Sequence, residues 1–268
     1  LDKVLLLISL LTPLSINIET VAGGLAVSLP SEPLLAGVLV LFVAKYLYER
    51  KFDFKISTHP ISIVIYIMFI WMCITTITSE MPIVSLKFIM SRLWFIVPSY
   101  FLCALLFKNP KNINRFIWLY IAGLVIVVIY TITNHAMHGF DGDTAHWVMT
   151  PFYNDHTAYG AVLAIYIILC AAYLFMPNMQ RNKRIAVVIV LCLLLLAIVL
   201  SFCRASWISL IAALGVLTCV LLKIKFKYIA FVSTILIVLF FSFQQQIFDS
   251  LSKNDQDASG NIVENIQS

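Results

Sequence analysis

The stretch that decides the fold is IAVVIVLCLLLLAIVLSFCRASWISLIAALGVLTCVLL, residues 185–222, in which Arg204 is the only charged residue. As one helix this stretch would be about 57 Å long at 1.5 Å per residue, whereas the hydrocarbon core of a bilayer is about 30 Å thick. It must therefore form two membrane-spanning helices. The polar residues Ser201, Cys203, Arg204 and Ser206 predict a tight turn between them at a membrane surface.

Long apolar segments fill most of the remaining chain as well. Hydrophobic residues make up 62% of the sequence and charged residues 12%, whereas about a quarter of the residues in a soluble domain are charged. Membrane-spanning helices need about 20 mostly apolar residues, and strand-like alternation typical of a barrel is missing. The candidate spans, of which the first two are short, are 4–18, 33–48, 61–79, 88–107, 116–133, 157–176, 185–201, 205–222 and 228–247. The predicted fold class is all-α, a polytopic transmembrane helix bundle of about nine spans over residues 1–248, with a polar external tail at 249–268.

The placement of the basic residues predicts the orientation. Fourteen of the eighteen Lys and Arg residues lie near the N-terminus or in every second loop of the nine-helix arrangement, as expected for cytoplasmic positions. The N-terminus is therefore predicted to be cytoplasmic and the loop 134–156 external. The net charge of +5 is interpreted as this topology signal, since no basic stripe indicates a nucleic-acid partner. A cleaved signal peptide at 4–18 is an alternative that leaves the other spans unchanged.

Familiar metal, redox and soluble-enzyme signatures are missing from the sequence. The six cysteines all lie in or at the ends of predicted helices and form no CxxC pair, so a zinc or redox site has no support. No P-loop, GxSxG or HExxH is present. Histidine and aspartate do cluster in the loop 134–156, but their spacings match no known ligand pattern, and we predict no metal or cofactor. The residues concerned are His135, His138, His146, His156, Asp141, Asp143 and Asp155.

Four basic residues fall outside the cytoplasmic pattern, namely Lys87, Arg92, Arg204 and Lys253, the last in the polar tail. Snorkelling to the headgroups would explain Lys87 and Arg92, and a simple turn position would explain Arg204. The functional alternative is that cations facing a cavity of the bundle hold an anionic substrate, for which the planar fork of Arg is suited when the anion is a phosphate.

Near the predicted sixth span, residues 151–161 read PFYNDHTAYGA. Asn154 or Asp155 could accept hydrogen bonds from the free N–H groups at the start of a helix. A helix N-terminus also favours anions, so the same segment could contact a phosphate.

Three segments together resemble the O-antigen ligase and O-antigen polymerase superfamily. Residues 201–207, SFCRASW, are similar to its Ser-x-Ser-Arg-Gly/Ala segment, with Cys203 in place of the second Ser. The segment 151–161 resembles the helix-opening element some 40–50 residues upstream, and LPSEPLL at 29–35 resembles an early external segment.

The resemblance implies transfer of a glycan from an undecaprenyl-diphosphate carrier at the periplasmic face of the bacterial inner membrane. The acceptor would be lipid A core, a growing polysaccharide or, in some relatives, a protein. Arg204 would be the catalytic cation, and the substrate-binding positions would be Arg92, Lys87, Asn154, His156 and Tyr159. Such proteins have about twelve spans and a large periplasmic loop, so we expect this chain to be an N-terminal portion, with the catalytic base beyond Ser268.

Two other classes stay open from the residues themselves. A transporter of lipid-linked glycans or small molecules is the first. A proton- or ion-coupled transporter usually carries an acidic or basic residue at mid-membrane, and none lies in the spans 116–133, 157–176, 185–201, 205–222 and 228–247. A non-catalytic membrane scaffold or sensor is the second, and it should tolerate substitution of Arg204.

Overall fold

A computed structural model of the protein describes residues 1–18, 27–49, 54–177 and 179–225, together with the single positions 227, 234 and 242. The described chain is mostly helical. Its α-helices are α1 (Asp2–Leu11), α2 (Ser31–Glu49), α3 (Phe54–Ser57), α4 (Pro60–Ile77), α5 (Pro82–Ile96), α6 (Cys103–Leu106), α7 (Pro110–Met137), α8 (His156–Leu174), α9 (Arg181–Leu200) and α10 (Arg204–Leu221). A π-helical turn (Val97–Leu102) joins α5 to α6, and two short antiparallel strands, β1 (Ile16–Ile18) and β2 (Val27–Leu29), pair between α1 and α2.

Two compact units make up the chain. Residues 1–210 form the first, which holds α1 to α9 and the start of α10. Residues 211–268 form the second, of which the structure describes mainly the remainder of α10. The tail predicted at 249–268 lies outside the described residues.

Within the described residues, seven helices are long and apolar enough to cross a membrane, as is typical of a multi-pass membrane protein. They correspond to the second to eighth predicted spans, so the count of about nine is not confirmed. The predicted span 4–18 is wrong in extent, because α1 has only 10 residues and a helix of that length covers only about 15 Å. Pro13 lacks the N–H that would continue the helical hydrogen bonds. The predicted span 228–247 lies outside the described residues apart from positions 234 and 242.

Proline and a capping side chain set the beginnings of several helices. Pro60, Pro82 and Pro110 are each the first residue of a helix, where a missing N–H costs nothing. The side chains of His59 and Asn109 accept hydrogen bonds from the backbone just inside α4 and α7. These signals explain why α5 begins at residue 82 and α7 at 110, several residues before the predicted beginnings at 88 and 116.

The first unit contains two groups of helices. In one group α7, α8 and α9 pack together, and α8 and α9 share the most extensive contact. In the other, α5 packs against α2 and α4. Helix α1 contacts both α2 and α7, and the approach to α7 is close, since a Cβ on Gly123 would collide with the backbone oxygen of Leu10. Small residues permit such close helix contacts in membranes.

Outward faces of the helices are apolar. Helix α4 is long and apolar enough to span a membrane. Its one buried residue is nevertheless Ser62, while Ile67, Ile70 and Trp71 are exposed. A water-facing helix would place polar residues there. Such apolar faces are typical of helices that cross a membrane.

Candidate functional site

A folded segment covers one end of the α7–α9 group. Residues 138–155, called here the cap, connect α7 to α8 and include a 3-10 turn at Thr144–His146. Val148 and Met149 of the cap are buried in the core of the α7–α9 group. Asn134 Nδ2 donates a hydrogen bond to the Val148 carbonyl at 3.0 Å. The cap is therefore an integral part of the bundle and not a free loop.

His135 is buried at the junction of α7 and the cap. Its side chain is 1% exposed, and Nε2 lies 2.9 Å from the carbonyl oxygen of Asp141. A carbonyl can only accept, so Nε2 carries a proton. The ring makes edge contacts with Phe140 and Phe202, at centroid distances of 5.3 and 6.2 Å. His135 thereby joins α7, the cap and the turn that follows α9.

Beneath the cap, a small cavity of about 10 Å³ has an apolar lining surface, and residues of α7, α8, α9 and the cap surround it. These include Thr131 and His135 of α7, Tyr159 of α8 and Ser201 after α9. The hydroxyls of Thr131 and Tyr159 are buried beside each other, and within the described residues neither makes a hydrogen bond of full geometry. Buried hydroxyls without a well-formed hydrogen bond are uncommon, so this cluster stands out from the otherwise apolar core.

The turn between α9 and α10 is confirmed where the sequence predicts it. Helix α9 ends at Leu200 and α10 begins at Arg204, and Phe202 takes the left-handed conformation with φ of 50°. Ser201 Oγ donates to the Ile198 carbonyl at 2.7 Å. Trp207 Nε1 donates to the same carbonyl at 2.8 Å.

The polar residues of this turn differ in their burial. Ser201, Cys203 and Ser206 are buried, and Ser206 Oγ lies 3.1 Å from Cys203 Sγ. Arg204 is exposed. The serines and the cysteine thus hold the turn, while the guanidinium faces outward.

The turn contacts the start of α8 at Gly160. A Cβ added there would collide with Ser206 Oγ and would lie 3.0 Å from Ser206 Cβ and 3.3 Å from Cys203 Cβ. Glycine is therefore required for this approach. The contact brings together the segments 151–161 and 201–207.

At the N-terminus of α8, Asp155 is the capping residue. Its carboxylate accepts a hydrogen bond from the Ala158 N–H at 2.7 Å, and this bond lowers the pKa of Asp155 below its usual value. Asn154 is exposed, and His156 is half-buried with Nδ1 at 3.1 Å from Nδ1 of His146 in the cap. Tyr159, in contrast, is 1% exposed and belongs to the core.

Lys87 and Arg92 lie on another helix group. Because α5 begins at Pro82, Arg92 lies about 15 Å along the helix from Pro82. Arg92 is therefore farther from the end of the helix than it would be if the helix began at residue 88, as predicted. Both side chains are exposed, and the Arg92 guanidinium lies over the Phe88 ring at 4.8 Å from its centroid. The structure therefore does not bring Arg92 and Lys87 into the contact that joins α8 to the turn before α10.

Comparisons of this chain with family models, curated proteins and solved structures give no match. Its function must accordingly be argued from its own residues.

Sequence reasoning named Tyr159, Ser201 and His135 separately, but it missed Thr131 and the meeting of these four residues under the cap. Thr131 and His135 are four residues apart on α7, which places them on one face of the helix. That spacing is a signal in the sequence, but Tyr159 and Ser201 join the same cavity only through tertiary packing.

Proposed function

We propose that this protein transfers a glycan from an undecaprenyl-diphosphate donor to an acceptor, either lipid A core or a growing polysaccharide. In this proposal the cap lies at the periplasmic face of the bacterial inner membrane and the N-terminus is cytoplasmic. One observation carries the proposal: the two segments whose sequences resemble the O-antigen ligase superfamily, 151–161 and 201–207, contact each other through Gly160 and Ser206.

Arg204 has the properties expected of a diphosphate-binding cation. It is exposed at the first residue of α10, where the free N–H groups of the helix add to its positive charge. A cation at a helix N-terminus is unfavourable without an anion nearby. A bound diphosphate would remove that penalty, and Arg can meet it with two parallel hydrogen bonds.

The reaction needs charge stabilisation more than it needs a cofactor. The acceptor hydroxyl attacks the anomeric carbon, the bond from that carbon to the diphosphate oxygen breaks, and the hydroxyl proton passes to a base. Arg204 would stabilise the charge that develops on the departing lipid diphosphate. Asn154 and His156, exposed or half-buried beside the contact, would position the glycan.

The other three predicted positions have different surroundings. Tyr159 would act by supporting the start of α8 from the core. Arg92 and Lys87 would bind the diphosphate of an incoming donor along the exposed face of α5, before that diphosphate reaches Arg204.

The test is glycan transfer from a lipid-diphosphate donor by protein expressed from its own gene and reconstituted in vesicles. Loss of one charge-assisted contact to the transition state costs about 3 kcal/mol, or about a hundredfold in rate. We expect that loss for Arg204→Ala. Arg181→Ala is the matched control, because Arg181 is also exposed and also the first residue of a helix.

Wild-type transfer by folded Arg204→Ala protein would refute the role of Arg204. Movement of the donor across the vesicle membrane without a new glycosidic bond would favour the transporter class instead.

A further inference from the structure

Two histidines of different elements meet at the surface of the cap. His146 ends the 3-10 turn of the cap, and His156 is the first residue of α8. Their Nδ1 atoms are 3.1 Å apart and their rings are almost perpendicular, at 88°. His146 is exposed and His156 half-buried, so the pair is open to ions from solution.

The spacing of these nitrogens suits a shared metal ion. Zinc binds imidazole nitrogen at about 2.0–2.1 Å, which puts two nitrogens of a tetrahedral site about 3.3 Å apart. The observed separation of 3.1 Å differs from that value by only a few tenths of an ångström. Both rings would have to turn by about 35° from the hydrogen-bonded arrangement for their Nδ1 lone pairs to point at one ion.

We propose that His146 and His156 form a two-nitrogen site for a divalent transition-metal ion, with water completing the coordination. Within the described residues no three His, Cys, Asp or Glu side chains converge, so the protein supplies two ligands. Imidazole suits zinc, copper and nickel, and the affinity should follow copper above zinc.

When both rings are neutral, metal binding releases no proton from the protein. In the hydrogen-bonded pair one ring carries its proton on Nδ1 and donates it to the other ring. On metal binding that proton moves to Nε2 of the same ring, and both Nδ1 lone pairs bind the ion. No oxidant or reductant is involved.

Such an ion would fasten the cap to α8. The two ligands are ten residues apart and flank the buried cap residues Val148 and Met149. An ion that binds only the folded state stabilises it. The metal is therefore expected to stabilise the packing of the cap on the core, and it would occupy Nδ1 of His156, the residue proposed above to position the glycan.

The experiment is calorimetric titration of the purified protein, free of any polyhistidine tag, with Zn²⁺ and with Cu²⁺. We expect one site per chain, tighter for Cu²⁺, and a rise in the midpoint of thermal unfolding when Zn²⁺ is present. His146→Ala and His156→Ala should each weaken binding at least tenfold. His138→Ala is the control, because His138 is exposed in the same cap but its Nδ1 bonds to the Asn134 carbonyl at 2.8 Å.

A second measurement keeps the proposal falsifiable if an alanine variant does not fold. His146→Gln retains a polar side chain, and the electron paramagnetic spectrum of bound Cu²⁺ should show two imidazole nitrogens in the wild type and one in this variant. Equal affinity in all three histidine variants, or an unchanged copper spectrum in His146→Gln, would overturn the site and leave a simple hydrogen-bonded pair.

Discussion

Gly160→Ala tests the contact on which the proposed function depends. The added methyl group would meet Ser206 Oγ and would lie 3.0 Å from Ser206 Cβ. Ser206 is 3% exposed and bonded to Cys203, so its side chain cannot rotate away freely. The turn before α10 must then move away from α8.

Two opposing effects determine how much Gly160→Ala changes the free energy of unfolding. Inserting a methyl group into a well-packed site costs about 1–3 kcal/mol. Replacing Gly by Ala inside a helix contributes about 1 kcal/mol of stability. Gly37→Ala isolates the second effect, since Gly37 lies in α2 with nothing within 4 Å of an added Cβ. The difference in unfolding free energy between the two variants should thus be about 1–3 kcal/mol.

Thermal unfolding in detergent micelles measures that difference, with a thiol-reactive fluorophore that reports exposure of buried cysteines such as Cys170. One kcal/mol corresponds to about 2–4 °C for a chain of this size. Adding Ser206→Ala to Gly160→Ala should recover part of the loss, because it removes the nearest atom. Equal midpoints for Gly160→Ala and Gly37→Ala would refute the contact.

Four further predictions concern single positions. Arg92→Lys should lose glycan transfer if the fork binds diphosphate, whereas normal surface glycan in cells carrying this variant would indicate snorkelling. Tyr159→Phe should change the unfolding temperature little, because within the described residues its buried hydroxyl makes no hydrogen bond of full geometry, even to the neighbouring Thr131; a clear fall in the midpoint would reveal a bond. Because the pKa of Asp155 is lowered in the folded state, its carboxylate stabilises the fold at pH values above its unfolded pKa, and this stabilisation is lost as pH falls through the folded pKa. Asp155→Asn should therefore flatten the loss of stability at acidic pH, while the Asn side chain still caps the N-terminus of α8. Single cysteines introduced at 181–184 should resist an impermeant reagent added outside the cell, and labelling there would reverse the predicted orientation.

The membrane helices could be predicted because their signal is local. Apolar length alone identified the spans that became α2, α4, α5 with α6, and α7 to α10. The break at 201–203 followed from the length of a bilayer, since one helix over 185–222 would be too long to cross it. Both inferences need only composition and a known membrane thickness.

Boundaries and the site depended on information that apolar length does not carry. Pro82 and Pro110 begin their helices outside the apolar core of each span, and α1 ends before Pro13 although the apolar run continues. The cavity beneath the cap requires residues from 131 to 201 to meet, and no periodicity within one helix reveals such a meeting.

Within residues 201–206, the buried polar side chains hold the turn, whereas the exposed Arg204 could act on a ligand. Ser201, Cys203 and Ser206 are each below 4% exposure and bond within the turn or pack on Gly160. In the part of the chain that the structure describes, the Arg204 side chain takes no part in these bonds. A cation at the first residue of a helix costs about 0.3–1 kcal/mol without an anion. For Arg181, in the same position on α9, the preference of basic residues for the cytoplasmic side offers a reason, whereas Arg204 falls outside the predicted cytoplasmic pattern and its packing offers none. An anionic ligand does give a reason, and the same residue type would then stabilise both the bound diphosphate and the charge that develops when it departs.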